Sequence, residues 1–179
     1  MTKSEYQFLE YDFLMKFTRV ILATLLSLGL VTAVAAAPAS AAEKPITVRV
    51  YHQVVTPIAV SGTGIGAVRT YFIPMAVDGK SADGQYLAGT LTTLDPAMPN
   101  GEELRSSNLT FVFGAEKDQM VVGGISFFPP TGATIAIGQS TIRPVIGGSG
   151  KYSGARGQVV STNLGANGFT HIFKVWLGK

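Results

Sequence analysis

The sequence predicts an all-β fold, and three observations carry that prediction. First, Ile46, Val48, Val50, His52 and Val54 alternate with Thr47, Arg49, Tyr51 and Gln53. Period two marks a strand with one face buried. Second, Asp78-Gly79, Asp83-Gly84, Asn100-Gly101, Asn167-Gly168 and Pro129-Pro130 cut the chain into short segments. Asx-Gly pairs tolerate positive φ and close tight turns. Third, no stretch from Pro45 onward shows the apolar spacing of a helix. A hydrophobic share of 46% against 14% charged residues suits a packed core and excludes a disordered tail.

Residues 1–42 read as a secretory signal peptide. Lys16 and Arg19 precede an uncharged run from Val20 to Ala37, and Ala39-Ser40-Ala41 and Ser40-Ala41-Ala42 follow it. These are a basic region, an apolar region and a small-residue cleavage site. Cleavage near Ala41 or Ala42 leaves a secreted, extracellular chain with no stable membrane span. The run is about 18 residues, at the lower limit for crossing a bilayer, and its second half is alanine-rich. Glu5, Glu10 and Asp12 do not suit a signal, whereas Met15-Lys16-Phe17-Thr18-Arg19 does. Translation is therefore expected to start at Met15. The absence of cysteine excludes a lipoprotein, a disulfide and a thiolate site.

Residues 43–179 form the predicted β domain. After the first strand come Val68 to Val77, where Pro74 calls for a bulge or an edge, and then Tyr86 to Leu94. Leu109 to Gly114, Gln119 to Phe128 and Ala133 to Ile137 follow. Ser140 to Ile146, Gly157 to Thr162 and Gly168 to Leu177 complete the set. Eight or nine such strands make a barrel or a sandwich, and a barrel removes the exposed edges.

Several function classes drop out. A net charge of +3 spread without a stripe does not call for nucleic acid. Gly147-Gly148-Ser149-Gly150-Lys151-Tyr152 lacks the leading glycine and the final Ser/Thr of a phosphate loop. Gly62-Thr63-Gly64-Ile65-Gly66 has no βαβ unit around it and reads as a loop, or one lip of a barrel mouth. No His/Asp/Glu cluster has metal-ligand spacing, and no Gly-x-Ser-x-Gly elbow occurs. No cofactor and no metal are expected.

The run from Val145 through Gly147-Gly148-Ser149-Gly150-Lys151-Tyr152 to Gly157-Gln158-Val159 resembles the hallmark segment of dirigent proteins and allene oxide cyclases. The aromatic-rich end from Phe169 to Gly178 is similar to the last cyclase strand, and Met120 to Gly124 to a dirigent strand. The resemblance covers about 35 C-terminal residues and implies a bacterial barrel of the allene oxide cyclase-like type. It further implies eight antiparallel strands in a calycin-like closed barrel, commonly as a homotrimer. Val50-Tyr51-His52-Gln53-Val54 resembles the first cyclase strand, Tyr-Glu-x-Asn. The acidic residue and the Asn of that strand stand here as His52 and Val54.

Parity places His52 on the face of Val48 and Val50, read as the interior. A histidine in an apolar barrel can act as acid, base or hydrogen donor. Arg69 and Tyr71 share one face of the next long strand and are its expected helpers. Tyr86, Arg143 and His171 also lie on strands and read as rim or solvated residues. Glu102 and Glu103 read as solvated loop charges. The expected protein is a secreted barrel that binds a small apolar ligand. If it is an enzyme, it is an isomerase or cyclase, or it guides a coupling as dirigent proteins do. The alternative is a non-catalytic extracellular module that assembles through its outer wall, with Val121, Val122 and Ile125 supplying apolar surface.

Overall fold

The computed structural model describes residues 44–130, 132 and 134–178. The predicted signal peptide and the alternative start at Met15 lie outside them. Ten strands run in chain order: β1 (Ile46–His52), β2 (Ala59–Ser61), β3 (Val68–Val77), β4 (Lys80–Asp95), β5 (Glu103–Phe113), β6 (Gln119–Val122), β7 (Ile125–Phe128), β8 (Ser140–Ser149), β9 (Arg156–Asn163) and β10 (Phe169–Trp176). They pair in the order β1-β10-β9-β8-β6-β5-β4-β3-β2, all antiparallel, and β1 also pairs with β3. That last pairing, Val50 opposite Val77 and Tyr51 opposite Ala76, closes the sheet on itself. β6 and β7 share β5 as one interrupted strand, and β2 is an outlying hairpin on β3. The ring therefore has eight staves, as expected. No α-helix occurs among the described residues.

Alternation along each stave sends one side chain in two to the centre. Val48, Val50, Phe111, Val159, Phe173 and Val175 meet there, all almost fully buried. Ile46 and Val54, assigned to the same face from parity, are exposed: Ile46 is the first residue of β1, and Val54 lies beyond its end at His52. The expected bulge is present: pairing between β3 and β4 slips between Pro74 and Ala76.

Two strand assignments and one turn need correction. Gln119 to Phe128 is not one strand. It breaks at Gly123-Gly124, where Gly124 has φ +103 and a Cβ would press on the Pro144 ring of β8. Proline offers no N–H to continue the ladder at that point. Of the segment Ala133 to Ile137, the described residues 134–137 form no strand. Thr134 and Ile135 bend, and the Gln139 side chain accepts from the Ala136 N–H at 3.0 Å, folding the segment into a turn. Asp83-Gly84 is no turn but lies inside β4, and the turn before that strand is Asp78-Gly79.

The two ends of the barrel differ. The connections at residues 53–67, 96–102, 129–139 and 164–168 all lie at one end, here called the loop end. Short turns close the other, where the Tyr152 ring packs 4.5 Å from that of Phe113. Gly157 shows why the glycine-rich segment suits this end. Its φ is +149, and an added Cβ would overlap the Lys174 carbonyl oxygen and lie 2.9 Å from the Val175 Cα. Gly157→Ala is expected to lose about 2–4 kcal/mol of stability, from steric overlap and backbone strain together. Urea denaturation of the purified variant measures it.

The outer wall carries an apolar row. Ile172 of β10, Val160 of β9 and Ile142 of β8 are neighbours across the sheet. Ile146, Ile125 and Phe127 are also exposed.

Candidate functional site

The inward polar side chains gather at the loop end, and the other half of the interior is apolar. This follows from where polar residues fall in the alternation. β1 ends on His52, β10 begins Phe169-Thr170-His171, and β9 ends Ser161-Thr162-Asn163. Register sets His171 opposite Ser161, and His52 opposite Phe169. Each of the three polar residues is at most 4% exposed.

Their hydrogen bonds have one consistent direction. His52 Nδ1 lies 2.7 Å from the Gln53 carbonyl oxygen, which can only accept, so Nδ1 carries the proton. Burial lowers the His52 pKa, with the Gln53 bond opposing it, and the ring is neutral. His52 Nε2 is then bare and accepts from His171 Nε2–H at 2.9 Å. Burial holds the His171 pKa well below its ordinary value, helped by His52 and the Arg143 charge. His171 Nδ1 therefore accepts from the Ser161 hydroxyl at 2.8 Å. The result is a directed relay, Ser161 to His171 to His52 to Gln53. Phe169 stacks on His52 at 5.1 Å, and the Phe111 edge meets His171 at 5.1 Å, fixing both rings.

A second polar cluster faces the first from β3, β4 and β5. Glu103 and Arg105 are two apart on one strand face, so both point inward. Glu103 Oε2 accepts from Arg105 Nε at 2.9 Å and Nη2 at 2.7 Å. Arg69 Nη2 lies 3.5 Å from the same oxygen, and Arg69 Nη1 donates to Thr93 Oγ1 at 3.0 Å. The Arg105 guanidinium also covers the Phe128 ring at 4.5 Å. Beside them, burial raises the Tyr71 pKa against the pull of Arg105 and Arg69, so the phenol keeps its proton.

Between the clusters lies a cavity of about 60 Å³. Ile73, Leu87, Leu91, Leu109, Phe128 and Ile135 form its apolar wall. His52, Tyr71, Ser161, His171 and Arg143 supply its polar groups. An apolar cavity with a few convergent polar groups is the usual form of a small-molecule site. Among the described residues no group of His, Asp or Glu could hold a metal ion.

The sequence candidates fall unevenly. His52 and Tyr71 both line the cavity, whereas Arg69 stands outside its lining, in the ion-pair cluster. Arg143 and His171 are not rim residues; both are buried and line the cavity. Tyr86 does lie outside, its ring 4.9 Å from that of Phe72. Glu103 is not a solvated loop charge, because β5 begins there and turns it inward; Glu102 stays in the loop, bonded to Asn100. Ser161, Thr93 and Arg105 were not singled out. The alternation Val159, Ser161, Asn163 against Val160 and Thr162 was the available signal for Ser161.

No family model matches the chain, and no curated protein matches it. Solved structures do. Pyocyanin demethylase is similar over 74% of this chain and 99% of its own, with a TM-score of 0.51 at 16% identity. A pterocarpan synthase dirigent protein is similar over 74% of this chain and 87% of its own, with a TM-score of 0.48 at 13% identity. At such identities the likeness to the demethylase is one of fold. The chain thus has a closed, eight-stave antiparallel barrel of the kind found in pyocyanin demethylase, with a largely apolar cavity at its loop end that a few polar side chains reach.

Proposed function

We propose that this protein is an exported barrel that binds a small, largely apolar compound at its loop end and acts on it through Ser161, His171 and His52. One observation carries the reading: the apolar cavity meets a buried, neutral, directed relay at its wall. Shape can hold a flexible molecule near its reactive geometry without strong acid–base chemistry. The relay adds a route for one proton. Ser161 Oγ keeps lone pairs that can take a proton from the bound compound as its own passes to His171 Nδ1. His171 Nε2 then hands its proton to His52 Nε2, leaving His52 charged and the compound deprotonated. Return of the proton at another atom completes an isomerisation or cyclisation that needs no cofactor. Export rests on residues 1–42, and membership of the allene oxide cyclase-like and dirigent-like barrels on the glycine segment from Val145 to Val159.

A second reading, assembly through the outer wall, is favoured by the exposed row of Ile142, Ile146, Ile125 and Phe127. Assembly as a homotrimer belongs to this reading. Native mass spectrometry of the full chain purified from its own cells separates the two. Binding predicts a co-purifying small molecule, lost in Leu91→Trp, which fills the cavity without touching the outer wall. Trimers of bare protein, with no compound bound in either form, would favour the second reading.

A further inference from the structure

Arg143 stands apart from every other charge inside the barrel. It sits inward on β8, is 5% exposed, and lines the cavity. Its Nε has no hydrogen-bond partner, and among the described residues no carboxylate lies within ion-pair distance of it. Its aromatic neighbour is Phe128, with the guanidinium carbon 5.9 Å from the ring centre. Burial brings its pKa down to about 10, so it remains a cation at neutral pH. Nearby, Glu103 serves both Arg105 and Arg69. Two guanidiniums thus share that one carboxylate, and Arg143 adds a third cation that no carboxylate of the described residues reaches. Thr141, two residues before Arg143 on the same inward face, has a buried hydroxyl that is also without a partner. Buried charges are ordinarily paired, and this one borders the cavity.

We propose that the cavity takes a ligand bearing an anionic group, a carboxylate or its equivalent, which pairs with the Arg143 guanidinium while its apolar body lies against Leu87, Leu91 and Leu109. The proposal rests on the small-molecule reading above and names the class of compound. An Arg–carboxylate pair is planar and two-pronged, so it also orients the ligand. The anion would lie close to His171, whose pKa already responds to Arg143. The reactive part of the ligand would then be presented to the relay.

Paired probes differing only in charge test this on the intact protein: benzoate against benzamide, and octanoate against octanamide, by isothermal titration calorimetry at pH 7.5. The carboxylates should bind at least about tenfold more tightly than the amides. Arg143→Met should abolish that preference while still binding the amides, and Arg143→Lys should retain part of it. Amides binding as well as carboxylates to the unmodified protein would overturn the anion site and leave the cavity reading standing. Failure of all four probes to bind would overturn both. The comparison on the unmodified protein decides the matter even if the variants do not fold.

Discussion

Glu103→Leu is expected to lose about 3–5 kcal/mol of folding stability at neutral pH, or to prevent folding altogether. The substitution leaves the shape of the wall nearly intact but removes the carboxylate that neutralises Arg105, which is 0% exposed, and Arg69. A buried cation deprived of its counter-ion keeps its desolvation cost and loses the attraction that offsets it. Glu103→Gln should cost less, because it can still accept one hydrogen bond. The double variant Glu103→Leu with Arg105→Met should recover much of the loss, since the fully buried guanidinium is then gone and only the less buried Arg69 is left without its carboxylate. Guanidinium chloride denaturation of the three variants gives the comparison. A Glu103→Leu protein within about 1 kcal/mol of the parent would show that water reaches the cluster and screens it.

The second large effect is acid destabilisation. His52 and His171 both have folded-state pKa values below the ordinary 6.5. As pH falls through about 6.5, the unfolded chain takes up a proton on each ring and the folded chain does not. Stability is therefore full above that pH and falls below it, and the fall continues until the folded-state values are reached. With two such groups the slope approaches about 2.7 kcal/mol per pH unit. Chemical denaturation between pH 8 and pH 5 measures it. His171→Leu should flatten the slope, because one of the two neutral rings is gone. It should also be less stable at pH 8, since Ser161 Oγ and His52 Nε2 lose their partner. A slope that stays flat in the unmodified protein would mean that the relay protonates freely in the fold.

The same two clusters show what could be read from residue order and what could not. The first strand was legible because alternation is a local property: Val48, Val50 and His52 face inward as parity requires. The Pro74 bulge was legible because a missing N–H interrupts any ladder. The break between β6 and β7 was not, because its cause sits across the sheet, in Pro144. Glu103 was misread because nothing near it signals burial. Its partners Arg69 and Thr93 come from β3 and β4, 34 and 10 residues earlier in the chain.

From residue order alone the chain determined an all-β domain, most of its turn-forming glycines and the inward direction of His52, because period two and backbone freedom act over a few neighbours. Tertiary structure alone decided that His52 meets His171 across 119 positions, that Ser161 completes the relay, and that Arg143 is enclosed without a counter-ion. Those facts depend on strand register and ring closure. Register is set by the summed packing of every stave, and no short stretch of sequence contains that sum.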